Sequence, residues 1–310
     1  MESKTKKFVL YKVRNFSEKF DDTFAFVREN WKVLLKYLTY LILPVCLVQA
    51  VALNGYMETA FSMSDLGSGK AADMTNFIMK MGWSYGGLIL TSLLAGVLLA
   101  SLCYALIRLA ADSENGLADI TVDDLKPLLL RNLKRIGLAL LFFIGALFGF
   151  MLVAALLVVI TRWLLIPVFI ALIAVTIPLA LFTPIYLLED TPLLQAVRKS
   201  LRLGFDTWWS TFAILLVLGF IVSFVQGIFA IPYYIMIVVK TVMGLQSSGS
   251  EFFDSVGYSF TTYLFGVLQS YATYALTSLM VVGLALQYGY AAEKNDHVTM
   301  ADNIDRFEEL

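Results

Sequence analysis

The chain has one histidine, His297, and it lies in a short acidic tail. Zinc sites in proteins combine several His, Cys or carboxylate ligands, and no second histidine accompanies this one. We therefore interpret the acidic residues of the tail as a solvated terminus: Asp296, Asp302 and Asp305. The sequence predicts neither a bound metal ion nor a cofactor.

Glu189 and Asp190 come closest to a pair of carboxylates for acid–base chemistry. General acid–base catalysis needs titratable groups within hydrogen-bond reach of a substrate. This pair directly precedes Thr191 and Pro192, a position typical of helix capping, where negative charge meets the positive end of the helix dipole. No glycine-rich phosphate loop and no Ser or Cys nucleophile with a base partner accompanies them. We therefore expect a protein that is not an enzyme.

Six long apolar runs account for most of the chain. Hydrophobic residues make up 59% and charged residues 15% of the sequence. The runs are Leu34–Tyr56, Trp83–Leu109, Ile136–Ile160, Leu164–Leu188, Phe212–Val239 and Tyr263–Tyr290. Each exceeds the ~20 residues that a helix needs to cross a bilayer. The sequence predicts an all-α, polytopic bundle of six transmembrane helices, with Cys46 and Cys103 as packing residues within it.

The Lys and Arg residues predict the orientation. If the N-terminus is inside, 19 of the 23 Lys and Arg fall in or beside the inner segments. The four outer ones are Lys70, Lys80, Arg162 and Lys240. Because basic residues favour the cytoplasmic side, we expect both termini in the cytoplasm and the protein in a bacterial inner membrane. The charged N-terminal segment lacks an apolar core, so we expect no cleaved signal peptide.

An internal repeat divides the single membrane domain into three modules, each with an amphipathic interfacial helix and a membrane hairpin. The predicted parts are a basic N-terminus 1–15, modules 16–110, 121–188 and 190–290, and a tail 291–310. The apolar stripes of the three amphipathic helices are Phe16, Phe20, Phe24, Val27 and Trp31; Leu125, Leu129, Leu133 and Ile136; and Leu193, Leu194, Val197 and Leu201. Thr121 and Asp124 have the spacing of a capping box.

The basic faces of these helices are predicted to contact anionic lipid headgroups on the cytoplasmic side. The candidate contacts are Lys126, Arg131, Lys134, Arg135, Arg198, Lys199 and Arg202. Alternatively, the helices pack on the neighbouring hairpins as structural collars. Both interpretations can hold together, and neither involves nucleic acid.

Polar residues inside the runs allow two interpretations. Gln49, Gln226 and Gln269 are candidates for a polar cavity, as a transporter requires, or for hydrogen bonds between helices. Small residues at four-residue spacing predict close-packing seams, Ser92–Gly96–Ala100 and Gly145–Gly149. These seams pack either within the monomer or in a homodimer.

The segment Glu189–Leu203, with sequence EDTPLLQAVRKSLRL, is followed by Phe205, Trp208 and Trp209. It resembles the signature of a bacterial family, the glycerophosphodiester phosphodiesterase membrane-domain-like proteins. The tail from Gln287 to Glu293 also resembles the closing segment of that family. The resemblance implies a six-helix membrane part, while the hydrolytic domain of the fused members has no counterpart in this chain.

We therefore expect a scaffold or accessory subunit with a role in envelope or lipid homeostasis, in contact with membrane lipids and with a membrane-protein partner or a second copy. The alternative is a transporter of small molecules or lipids.

Overall fold

The computed structural model describes residues 8–61, 71–113, 116–117, 120–160, 163, 165–244, 253 and 255–299. The regular secondary structure of these ranges is helical, without a strand. In chain order the helices are α1 (Phe16–Phe61), α2 (Ala71–Asp112), α3 (Val122–Ile160), α4 (Leu165–Leu179), α5 (Phe182–Leu188), α6 (Leu193–Asp206), α7 (Trp208–Gly244) and α8 (Val256–Asp296). The predicted all-α fold is confirmed.

Six segments of the described chain are long and apolar enough to cross a membrane. They are Phe16–Ala60, Met74–Asp112, Val122–Ala155, Ile166–Leu188, Trp208–Val242 and Val256–Asp296. Each overlaps one of the six predicted runs. The prediction of a polytopic helical membrane protein is therefore confirmed.

The first two amphipathic segments are continuous with the spans that follow them. Helix α1 has 46 residues and α3 has 39. At 1.5 Å per residue, α1 is about 69 Å long, more than twice the ~30 Å of the hydrocarbon core. The N-terminus of α3 carries the predicted capping box, in which the Thr121 hydroxyl and backbone N–H both donate to Asp124. The third amphipathic segment, α6, is a separate helix, and one residue, Thr207, lies between it and α7.

A break divides the fourth span into α4 and α5. Pro178 lies in the last turn of α4 and Pro184 in the first turn of α5. Proline has no N–H, so Pro184 cannot donate to the carbonyl of Ala180 and the helical ladder is interrupted there. The connection of α3 to α4 passes through Thr161 and Arg162, which lie outside the described residues, but the two helices are in contact, as expected for a hairpin.

Helix α6 packs against this break with small residues. Its buried residues are Ala196, Ser200, Leu203 and Gly204, whereas Leu194 of the predicted stripe is 61% exposed. A Cβ atom on Gly204 would lie 2.4 Å from the Cα atom of Pro178. No side chain fits there without moving backbone, so the close approach of α6 to the break depends on glycine.

The amphipathic part of α1 packs on the protein interior with a face other than its aromatic stripe. Lys19, Thr23 and Phe26 face the protein interior, while Phe16 and Trp31 of the aromatic stripe are each 49% exposed. The polar side chains of the inner face have hydrogen-bond partners, which allows them to be buried. The aromatic stripe remains available to the surroundings of the protein.

The contacts divide the chain into two compact units. Unit 1 comprises Met1–Leu34, Ala100–Gly219 and Leu279–Leu310, and unit 2 comprises Leu35–Leu99 and Phe220–Ser278. The largest buried side chains of unit 1 include Leu106, Ile185 and Tyr288, and those of unit 2 include Ile42 and Tyr233. The boundaries of the units differ from those of the three predicted modules, which stay a prediction.

The glycines of the predicted small-residue seams have open space around them among the described residues. A Cβ atom built on Gly96, Gly145 or Gly149 meets nothing within 4 Å. The described neighbours thus leave the three glycines open, and packing of these seams inside the monomer stays a prediction. A homodimer seam stays a prediction.

Candidate functional site: two charged clusters at the α5–α6 junction

The junction between α5 and α6 lies in unit 1 and carries two adjacent carboxylates. Glu189 ends α5, and Asp190 has a positive φ of 57°. The N-cap of α6 is Pro192, and no side chain caps that helix. The predicted capping by Asp190 or Thr191 is therefore wrong. The two carboxylates instead form ion pairs with basic side chains.

Glu189 belongs to a cluster with balanced charge. The Lys199 Nζ atom donates to Glu189 Oε1 at 2.6 Å and lies 3.2 Å from Asp296 Oδ2. Arg202 donates to Asp296 at 2.7 Å. The hydroxyl of Tyr288 donates to Glu189 and lies 3.2 Å from the hydroxyl of Tyr11. We call these six residues the Glu189 cluster.

The environment of Lys199 favours its charged form. Burial alone lowers the pKa of this amine, but the hydrogen bonds and negative charges of Glu189 and Asp296 together outweigh burial. The pKa of Lys199 is therefore raised above its ordinary value of 10.5. Burial is also the main cause of the raised pKa of Tyr11. Since two acids face two bases, this cluster holds α6 and the end of α8 against the junction.

Asp190 belongs to a second cluster, in which positive charge is in excess. Arg108 from α2 and Arg131 from α3 both donate to Asp190 Oδ2, at 2.8 Å and 2.9 Å. Arg135, one turn further along α3, donates to the backbone carbonyls of Tyr186 and Thr191 at 2.7 Å and 2.6 Å. Two guanidinium groups thus share one carboxylate, and the third, that of Arg135, is bound to backbone carbonyls.

The guanidinium group of Arg135 also lies 4.1 Å from the centre of the Tyr186 ring, which is a cation–π contact. We call Asp190, Arg108, Arg131, Arg135 and Tyr186 the Asp190 cluster. Several of its donors have no partner in the described chain, namely Nε and Nη2 of Arg131 and Nε of Arg135. Buried donors are usually satisfied, so this cluster has unused capacity to bind an acceptor.

An apolar groove begins beside the Asp190 cluster. Its volume is about 310 Å³, and its walls include Ile136, Leu140, Phe143, Leu147, Phe182 and Tyr186. Ile136 directly follows Arg135, and the Tyr186 ring contacts both the guanidinium group and the groove. A charged recess and an apolar recess therefore share one wall.

The seven predicted headgroup residues fall into three sets. Arg131 and Arg135 join the Asp190 cluster, whereas Lys199 and Arg202 join the Glu189 cluster. Lys126, Lys134 and Arg198 are exposed, without an ion pair to any described residue. Arg108 lies at the inner end of the second apolar run. The sequence does not connect it with Asp190, because the two lie 82 positions apart.

Two of the three predicted cavity glutamines form hydrogen bonds between helices of unit 2. Gln49 donates to Ser92 at 2.9 Å and accepts from Tyr274 at 3.0 Å. Gln226 donates to the carbonyl of Thr273 at 3.1 Å. Gln269 Oε1 is buried without a partner among the described residues. Gln49 and Gln226 thus connect helices, and the groove described above involves none of the three.

Lys19 is a buried cation that lies away from the aromatic stripe of α1. Its Nζ atom donates to Ser210 at 2.7 Å and Gln287 at 2.9 Å, and lies 3.2 Å from the centre of the Tyr290 ring. Gln287 in turn donates to Thr211 at 3.0 Å. The network connects the start of α1 to α7 and α8 inside unit 1.

The other residues considered for chemistry lie apart from this junction. His297 is exposed, with a positive φ of 48°, and Asp302 and Asp305 lie outside the described residues. Cys46 and Cys103 are buried free thiols.

No family model, no curated protein and no solved structure matches this chain. The resemblance of the Glu189–Leu203 segment to a membrane-domain family stays a prediction.

Proposed function

We propose that the protein is a non-enzymatic integral membrane protein, a scaffold or accessory subunit in envelope or lipid homeostasis, that contacts anionic headgroups through the basic side chains of unit 1. The supporting observation is the use of the adjacent carboxylates. Glu189 forms an ion pair with Lys199, whereas Asp190 forms ion pairs with Arg108 and Arg131. They serve as ion-pair partners, and the surplus positive charge attracts anions.

The test has two parts. Purification in a mild detergent, with identification of the bound proteins and lipids, is expected to recover anionic lipid and a membrane-protein partner. Purified protein is expected to show no hydrolysis of glycerophosphodiesters, with or without divalent metal. Turnover that disappears in Glu189→Gln or Asp190→Asn protein would overturn the non-enzyme proposal. Recovery of neither partner nor anionic lipid would overturn the scaffold proposal.

The same proposal places both termini in the cytoplasm of a bacterium and the chain in its inner membrane. Single cysteines at Gly69 and Ser248 are expected to react with an impermeant thiol reagent in intact cells, and one at Asn115 is not. These three positions lie outside the described residues. Cys46 and Cys103 are buried and provide a low background. Labelling of position 115 alone would reverse the orientation.

A further inference from the structure

The Asp190 cluster has the chemistry of an anion site. Arg108 and Arg131 share the carboxylate of Asp190, and Arg135 binds two backbone carbonyls. Three buried guanidinium nitrogens of Arg131 and Arg135 have no acceptor in the described chain. The side chains of Arg108 and Arg131 are 30% and 34% exposed, so a ligand can reach them from outside. Guanidinium groups bind phosphate through paired, charge-assisted hydrogen bonds.

The adjoining groove has the chemistry of an acyl-chain site. Its walls are apolar apart from Thr183 and the hydroxyl of Tyr186, and its volume of about 310 Å³ is at the lower end of the range for ligand pockets. It begins one residue after Arg135 and continues along α3 as far as Leu147. An anion without an apolar tail fills only the charged recess, and a lipid without a phosphate fills only the groove.

We propose that the Asp190 cluster and the groove together bind one anionic phospholipid, with its phosphate on Arg108 and Arg131 and an acyl chain along α3. This proposal rests on the proposed lipid contact and assigns it a position. Arg135 stacks on Tyr186 at the boundary between the two recesses and orients the ring that forms their common wall. The exposed Lys126 and Lys134 of the same helix contribute only non-specific attraction.

The experiment is a lipid titration of the purified full chain, followed by native mass spectrometry. The probes are phosphatidylglycerol, phosphatidylcholine with the same acyl chains, whose choline cation is repelled by the arginines, and inorganic phosphate. We expect preferential binding of one phosphatidylglycerol and no competition from inorganic phosphate at equal concentration. Arg131→Gln is expected to weaken that binding about tenfold, as for a lost hydrogen bond to a charged group. Lys134→Gln, the matched charge control on α3, leaves it unchanged.

A second pair of variants keeps every charge. Leu140→Trp fills the groove and is expected to weaken phosphatidylglycerol binding, whereas Leu141→Trp changes the neighbouring residue, which is 67% exposed and outside the groove, and leaves binding unchanged. If Arg131→Gln fails to fold, these two tryptophan variants test the lipid site instead. Equal binding of both lipids, equal effects of the two tryptophans, or full competition by phosphate would overturn the site. Recovery of a partner protein in the detergent purification does not depend on these results. The scaffold proposal can therefore stand even if the lipid site is overturned.

Discussion

Glu189 and Asp190 are neighbours in sequence, yet the clusters around them differ in charge balance. In the Glu189 cluster two acids face two bases, and the tyrosine hydroxyls complete the hydrogen bonding. In the Asp190 cluster one acid faces three arginines, and several arginine donors remain unused. A balanced cluster stabilises the fold, whereas an unbalanced one is prepared for an anion that the described residues do not supply.

The positive φ of Asp190 separates the two carboxylates. Side chains of consecutive residues in a helix diverge by about 100°, and the left-handed backbone at Asp190 changes the direction again. Asp and Asn adopt this conformation more readily than other non-glycine residues. One backbone feature thus directs Glu189 to α6 and α8, and Asp190 to α2 and α3.

Gly204→Ala tests the packing that positions both clusters, and we expect the largest effect there. The added methyl group would lie 2.4 Å from the Cα atom of Pro178, so backbone must move. We expect a loss of about 3 kcal/mol in the free energy of unfolding, at the upper end of overpacking effects. Thermal unfolding in detergent measures it. Gly149→Ala, with open space around it, is the control, and equal effects of the two variants would contradict the packing argument.

Glu189→Gln tests the balanced cluster. It leaves Lys199 with only Asp296 as an acidic partner and weakens the bond from Tyr288. Because Glu189 and Lys199 are mostly buried, we expect a loss of about 2 kcal/mol in the free energy of unfolding. Phosphatidylglycerol binding should stay unchanged. The control is Glu29→Gln at an exposed position. If the Glu189 variant weakens lipid binding without destabilising the fold, the two clusters have been assigned the wrong roles.

Asp190→Asn tests the unbalanced cluster in the opposite direction. Asparagine keeps the left-handed backbone but removes the charge that competes for Arg108 and Arg131. We expect about threefold tighter phosphatidylglycerol binding, as for a partly exposed ion pair that no longer competes, with little loss of stability. Native mass spectrometry measures the affinity, and Asp206→Asn is the control. Weaker binding would indicate that Asp190 positions the arginines and does not compete with the ligand.

The smallest expected effect is a pH dependence from Lys199. Because its pKa is raised in the folded protein, its contribution to stability is complete below pH 10.5 and is lost as the pH rises through the raised value. Lys199→Arg stays charged over this range. The stability of the wild type relative to this variant should therefore fall above pH 10.5, as unfolding at a series of pH values measures. A difference in stability between wild type and variant that stays constant across this pH range would contradict the ion pairing of Lys199.

The faces of the amphipathic helices were only partly predictable. Periodicity found an apolar stripe on the first part of α1, and it is the face away from the protein interior, since Phe16 and Trp31 are half exposed. In a membrane protein the apolar face of a helix can meet lipid, so periodicity alone does not identify the side that packs on other helices. Lys19 shows the same difficulty, because its burial depends on Ser210 and Gln287, far away in sequence.

The sequence by itself determined the helical class, the six apolar spans and the capping box at Thr121, because these depend on local composition and spacing. It also identified Glu189 and Asp190 as the closest approach to a paired-carboxylate site. Only the tertiary structure decided what they do. Arg108 and Arg131 lie 82 and 59 positions from Asp190, and Asp296 lies 94 positions from Arg202. No local pattern encodes such pairings, since they arise where separate helices pack against one another.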